Sequence, residues 1–275
     1  MRFASLGSGS AGNCLVVEQA DTRLLLDCGF GVNELLKRLQ RFGLEPAQIT
    51  GILVTHEHDD HAKGAFKFAA KYNIPVWLSH GSFKMCERYL PSKMSERYLP
   101  SKMCERYMPD KPDIAINIID SHTSFQIQDI AITPYPVPHD AREPTQFTFT
   151  DGQHKLGVLT DAGASTPHIE QMLNGCDALV LECNHDLTML ENGPYAWPLK
   201  KRVGSRLGHL DNQTAAALLA KLDNTKLKHI IAAHLSAKNN TPNLAKAALS
   251  QALNCELDWV GIAEQDTGFA WRGFS

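Results

Sequence analysis

Apolar runs alternate with polar loops along most of the chain, and their spacing predicts a mixed α/β protein. Strands are expected over residues 3–6, 14–18, 22–28, 51–55 and 75–79. A second group is expected over 114–119, 124–127, 130–134, 146–150, 155–160, 177–182, 227–233 and 268–271. The runs around Val54 and over 177–182 are apolar throughout and read as buried strands. Ala20-Asp21 and Asp151-Gly152 sit between paired runs and predict hairpins. Helical spacing over 33–41 places Leu35, Leu36 and Leu39 together and stops at Gly43. It recurs over 62–72, 166–173, 213–222 and 244–253. The strand–helix–strand order from 51 to 79 predicts a right-handed crossover between parallel strands.

One segment breaks this pattern. Residues 84–92, 93–101 and 102–110 are near-copies of a nonapeptide, Lys84-Met85-Cys86-Glu87-Arg88-Tyr89-Leu90-Pro91-Ser92 in its first form. The period is too short for a solenoid, and the proline in each copy prevents one continuous helix. The repeat reads as a tandem duplication carried in a surface connection, where extra length costs little. The alternative is a lid, because the segment leaves a strand and each copy brings Lys, Arg and Tyr.

Composition narrows the class. With no linker and no other low-complexity stretch, 1–275 is expected to be a single domain with the insertion at 84–110. A net charge of −3 provides no global field for nucleic acid, so such binding needs a local basic patch. The densest candidate is Lys200-Lys201-Arg202 with Arg206. Seven scattered cysteines without a Cys-x-x-Cys pair read as reduced thiols. The N-terminal stretch turns Gly- and Ser-rich before it forms an apolar signal core, and no run reaches the length of a membrane span. A cytoplasmic protein without membrane contact is expected.

The chemistry concentrates where apolar runs end. Ile52-Leu53-Val54 leads into Thr55-His56-Glu57-His58-Asp59-Asp60-His61, a mixture of imidazole and carboxylate suited to divalent transition metals. Three further runs finish at His139, Asp161 and His234. Two ions about 3.5–4 Å apart can share Asp161 and a bridging hydroxide, an arrangement that clamps attacking and leaving oxygens in hydrolysis. Asp27, which ends Leu24-Leu25-Leu26, is either a cap or a carboxylate supporting the metal ligands.

Thr55 to Gly64 together with Asp27, His139, Asp161 and His234 resembles the metallo-β-lactamase superfamily. That resemblance implies an αββα sandwich of two mixed β-sheets between helices, with the site along one edge. It implies that His56, His58 and His139 bind one ion, that Asp60, His61 and His234 bind the other, and that Asp161 bridges. Glu57 and Asp59 are expected to stay outside the ligand set. The ions are expected to be zinc, with manganese or iron allowed.

Further stretches are similar to the exonuclease-like YycJ/WalJ branch of that superfamily. They include Leu6-Gly7-Ser8-Gly9-Ser10-Ala11-Gly12-Asn13-Cys14, Leu181-Glu182-Cys183-Asn184-His185-Asp186, Asn192 to Lys200, Gly208-His209-Leu210-Asp211-Asn212 and His234 to Asn240. The implied activity is a dinuclear-metal phosphodiesterase degrading DNA 5′-to-3′, with a metal-bridging hydroxide as nucleophile. Asp60, His209 and His185 are its expected catalytic residues, His209 being the first choice for phosphate contact or proton transfer. Lys200, Arg202 and Arg206 are candidates for holding substrate phosphates, against the commoner fate of such a run as a solvated face. His80 is expected to be a satisfied polar histidine, and His122, His154, His168 and His229 are given no role. The rival enzyme class is thioester or lactone hydrolysis of the hydroxyacylglutathione hydrolase type, and a regulatory module on the same fold is the non-enzyme alternative.

Overall fold

The computed structural model describes residues 1–89 and 114–274, so the repeat beyond Tyr89, and with it the choice between duplication and lid, lies outside the described residues. The chain begins with β1 (Arg2–Gly7), β2 (Cys14–Gln19), β3 (Thr22–Leu26), β4 (Gly51–Leu53), β5 (Val76–Ser79) and β6 (Ile116–Ile119), consecutive neighbours in one sheet. The second sheet takes β7 (Phe125–Ile127), β8 (Ile130–Pro136), β9 (Thr145–Thr150), β10 (Lys155–Leu159), β11 (Ala178–Glu182), β12 (His229–Ala233) and β13 (Val260–Ile262). The last strand, β14 (Phe269–Gly273), returns to the first sheet beside β1.

Strand periodicity explains the layering. Leu24 and Leu26 join Phe147, Phe149, Leu156 and Val158 in a core between the sheets, whereas Leu25 faces the opposite way. Alternate residues of one strand point to opposite faces, so a strand apolar on both faces belongs between two covering layers. On the outer side of the first sheet lie α1 (Val32–Arg41), α3 (Ala65–Tyr72) and α4 (His80–Cys86). The outer side of the second is covered by α5 (Pro167–Leu173), α8 (Asn212–Lys221) and α9 (Pro242–Leu253). The result is the expected αββα sandwich.

Strand direction then creates an edge. β3, β4, β5 and β6 run parallel, as do β10, β11, β12 and β13, and β8 shares their direction through two antiparallel steps. Loops leaving the carboxyl ends of these strands therefore gather on one rim, where ligands bind in open α/β sheets.

Several elements differ from the pattern expected of the sequence. The helix expected over 62–72 is split into α2 (Asp59–Ala62) and α3 at Lys63-Gly64. The cause is a close approach: Gly64 donates to Cys28 O at 2.8 Å, and a Cβ there would lie 1.9 Å from Phe30 O. The strand expected over 22–28 ends at Leu26 because Asp27 turns into the left-handed region, φ 63°. The short elements α4, α6 (Leu187–Asn192), α7 (Trp197–Val203) and β13 carry too little periodicity to be read in advance. No helix among the described residues is long and apolar enough to cross a membrane.

Candidate metal centre

Each sheet contributes strand-end residues to the rim. Asp27 and His56 to His61 follow β3 and β4; His139, Asp161 and His234 follow β8, β10 and β12. Asp161 and His234 share the backbone geometry of Asp27, at φ 51° and 55°. An L-residue in that region costs roughly 1–2 kcal/mol, and such strain persists where the surroundings over-determine it.

The donor atoms converge in overlapping groups. His56, His58 and His139 form one, Asp60, His61 and His234 another, and His56, His61 and Asp161 a third; within each, the donor atoms lie within 4.8 Å of one another. His58 Nδ1 lies 3.0 Å from His56 Nε2 and 3.3 Å from His139 Nε2. Asp60 Oδ2 lies 3.6 Å from His61 Nε2 and 3.4 Å from His234 Nε2.

Outer hydrogen bonds fix which nitrogen faces inward. His139 Nδ1 donates to Gly208 O at 3.0 Å, His234 Nδ1 to Glu182 Oε1 at 3.1 Å, and His61 Nδ1 to Asp27 Oδ2 at 2.7 Å. Thr55 Oγ1 donates to Asp27, so it accepts from His56 Nδ1 at 2.9 Å. In each case the remaining Nε2 is turned to the centre. Imidazoles oriented from outside by carboxylate, hydroxyl or carbonyl are the usual support of metal ligands.

Two observations fit a cation at this point. Asp161 Oδ2 is buried and lies 3.1 Å from His61 Nε2, yet it has no aligned hydrogen-bond partner. Such an orphan costs free energy unless something positive satisfies it. The inward nitrogens of His56, His58 and His139 likewise face one another. The donor chemistry, imidazole with carboxylate, suits divalent ions.

Electrostatics agree. Burial opposes charge on His234, but Asp161, Asp60 and Glu182 outweigh it and push its imidazole up to about 10. Burial likewise opposes charge on His61, and Asp161, Asp27 and Asp60 again win, holding it well above its ordinary value. Burial also disfavours the Asp161 carboxylate, but His234 and His61 hold it ionised well below the usual range. His56 goes the other way, driven down by burial and by neighbouring imidazoles. Protons on His61 and His234 thus balance the acids, a task that cations take over by displacing them.

His209 enters the same cluster. Its Nδ1 donates to Glu182 Oε1 at 2.8 Å and lies 3.5 Å from Asp161 Oδ1. Glu182 is fully buried and also accepts from the backbone N–H groups of Ala162 (2.9 Å) and Leu210 (3.1 Å). Burial opposes its charge, but His209 and His234 bring its carboxyl down to about 2. His209 is raised: burial works against its charge and Glu182 overcomes that.

A cleft of about 360 Å³ opens over the cluster, lined on its walls by Arg88, Asp140, Tyr195 and Arg202 among others. The expected site residues separate here. His209 and Arg202 line the cleft with Asp60, Asp161, His58 and His234. His185 is 1% exposed, its Nε2 has no partner, and it does not line the cleft. Lys200 Nζ donates to Glu191 O at 2.6 Å, Arg206 stands outside the cleft, and Arg202 pairs with Asp140. Asp27 sits beneath His61 and also accepts from Thr55 N at 2.8 Å. Glu57 takes Arg142 N at 2.7 Å, and Asp59 faces Arg88 and Tyr89, so neither belongs to a donor group. His80 is exposed and away from the cleft.

Glu182, Asn13 and Arg88 are the residues that sequence reasoning passed over. Asn13 Nδ2 lies 3.1 Å from His61 Nε2, and Asn13 N donates to Asp60 O at 2.8 Å. For Glu182 a signal existed: a carboxylate closing a wholly apolar strand has no solvent to serve. The backbone carrying Asp60 also packs against Gly29, where a Cβ would fall 1.8 Å from Asp60 O. Gly29→Ala is therefore expected to lower stability by about 1–3 kcal/mol and to weaken metal retention. Thermal melting with and without added metal checks both, and an unchanged melt in each condition would contradict the packing argument.

Fold and donor groups together define a metallohydrolase built on a two-sheet sandwich. The family model described as "Beta-lactamase superfamily domain" matches residues 22–234, and the chain belongs to that family. It is a metal-dependent hydrolase. A curated relative, exodeoxyribonuclease YycJ of Bacillus anthracis, is 33% identical over 264 residues, covering 96% of this chain and 92% of that protein. Exodeoxyribonuclease WalJ of Streptococcus pneumoniae is 28% identical over 254 residues, covering 92% and 88%. Among solved structures, the metallo-β-lactamase fold protein YhfI from Bacillus subtilis superposes with a TM-score of 0.71 over 98% of both chains at 16% identity, which speaks for the fold alone.

Proposed function

We propose that the chain is an exodeoxyribonuclease holding two divalent ions, zinc in the first instance. His56, His58 and His139 hold one, Asp60, His61 and His234 the other, and Asp161 is shared. The observation that carries this reading is the buried Asp161 carboxylate, its Oδ2 without an aligned hydrogen bond, set among the two donor groups beneath a cleft edged by Arg88 and Arg202. The names of the two relatives supply the substrate class.

Bound cations supply a water activated at neutral pH and positive charge against phosphoryl oxygens. The chain supplies the rest. His209, with Nδ1 engaged by Glu182, has Nε2 left for the cleft, and Glu182 favours its protonated form. It protonates the departing oxygen of the phosphodiester. Glu182 is its positioning residue. Arg202 and Arg88 receive non-bridging phosphate oxygens once an anion competes with Asp140 and Asp59.

End-labelled, 5′-phosphorylated DNA and RNA compared with thioesters test the substrate class, with elemental analysis of the purified protein for metal content. Release of nucleotides from the DNA end is expected; turnover of thioesters alone would reject the nuclease reading.

Metal uptake is expected to depend on pH. His61 and His234 have raised values in the metal-free site and must give up protons to bind, so apparent affinity rises with pH. Calorimetric titration near neutral pH in buffers of different ionisation heat should show proton release. A heat independent of the buffer would contradict it.

A further inference from the structure

The segment after Glu191 inverts the usual logic of a surface helix. Leu190 and Val203 pin α6 and α7 to the body of the protein. Trp197, by contrast, is 71% exposed, Leu207 51% and Leu199 39%. An amphipathic helix normally turns such residues inward. Here they share the surface with Lys201, Arg202 and Arg206, and no acidic residue occurs between 192 and 210. In a chain of net charge −3 this is a local basic and aromatic surface.

Its position gives it a use. Tyr195, Leu199, Arg202 and Val203 form part of the cleft wall, so the outer surface of α7 runs directly into the cleft above the donor groups. Lys201 Nζ stands 5.3 Å from the Trp197 ring centroid, over one face of the indole. That leaves a flat apolar platform with cations beside it. We infer that α7 is the strand-gripping element of the protein: Trp197 stacks on an unpaired base of a single-stranded nucleic acid, and Lys201 and Arg206 follow its phosphates into the cleft.

The chemistry selects this occupant. Aromatic platforms between cations hold single strands, because every base has a stackable face while the backbone is a line of charge. A paired duplex hides those faces, so the platform favours an end that is already single-stranded. An anionic membrane would also attract cations and an indole, but the cleft into which α7 runs is lined mainly by polar and charged side chains.

This inference rests on the nuclease reading, and the test separates the two. Trp197→Ala and Trp197→Phe are exposed substitutions, and neither touches the donor groups. Four quantities are compared with the native protein: turnover of bis(p-nitrophenyl) phosphate, KM for a 5′-phosphorylated single-stranded oligonucleotide, affinity for a phosphorothioate version that resists cleavage, and binding to anionic phospholipid vesicles. Trp197→Ala is expected to raise KM and weaken phosphorothioate binding by about tenfold or more, with small-diester turnover unchanged. Trp197→Phe should recover most of that loss. Unchanged oligonucleotide affinity in Trp197→Ala would overturn the inference while leaving the nuclease reading intact. Native protein that cleaves neither diester would instead remove the reading beneath it. Loss of binding to anionic vesicles with oligonucleotide binding intact would assign α7 to membranes and overturn the strand-gripping role.

Discussion

Asp161→Ala is expected to cut kcat/KM on DNA by at least about 10³-fold, because loss of a single preorganised electrostatic group commonly costs 10²–10³ and this carboxylate is proposed to serve both donor groups. Asp161 lies within reach of both: Oδ2 is 3.1 Å from His61 Nε2, and Oδ1 is 3.9 Å from His139 Nε2 and 3.4 Å from His234 Nδ1. Without it, His61 and His234 lose the neighbour that most raises their affinity for positive charge. Bound metal in the purified variant should therefore fall along with turnover. Alanine at φ 51° also adds backbone strain. Asp161→Asn separates the two effects, since asparagine tolerates the left-handed region. It should restore the melting temperature without restoring activity. Native-like turnover in either variant would refute the shared-carboxylate assignment.

His209→Gln is expected to lower kcat on DNA by about 10²–10⁴-fold, the usual worth of a positioned proton donor, with metal content unchanged. The leaving group provides a sharper readout. A p-nitrophenolate departs without protonation, so bis(p-nitrophenyl) phosphate turnover should fall far less than DNA turnover. The pH profile has a predictable sign. In the proposed role His209 acts as imidazolium, so at saturating metal its contribution is lost as pH rises through its folded value, while metal uptake sets the acid limb. Glu182→Gln removes its main support, and the alkaline limb should then move to lower pH. Equal losses on both substrates, with an unmoved limb in Glu182→Gln, would reduce His209 to a structural role. Because Glu182 also receives His234, metal content must be measured in that variant as well.

How far the site could be read in advance depended on residue type and local spacing. His56, His58, Asp60 and His61 crowd six positions at the end of an apolar strand, so their chemistry was visible without any fold. His139, Asp161 and His234 were visible as metal-capable residues closing strands. His209 ranks ahead of His185 because it precedes a predicted helix, where anions bind, whereas His185 follows an apolar run. Packing separated them further: His209 meets Glu182 at 2.8 Å on the cleft wall, and His185 lies buried off the cleft. The basic run separated in the same way, because Lys200 turns to Glu191 O while Arg202 reaches Asp140.

What the sequence by itself determined was therefore the alternation of strands and helices, the two-faced burial of the central strands, and the presence of metal-capable residues at their ends. These follow from local periodicity and side-chain chemistry, which need no knowledge of distant partners. The tertiary structure alone decided the joining of β14 to β1, the split between α2 and α3, and the left-handed turns at Asp27, Asp161 and His234. It also decided that Glu182 would orient two imidazoles and that α7 would carry its tryptophan outward. Each of these is a contact across long sequence separation or a backbone state imposed by one. A residue's own neighbours in the chain do not encode such contacts, because the energy that selects them exists only once both sheets have packed.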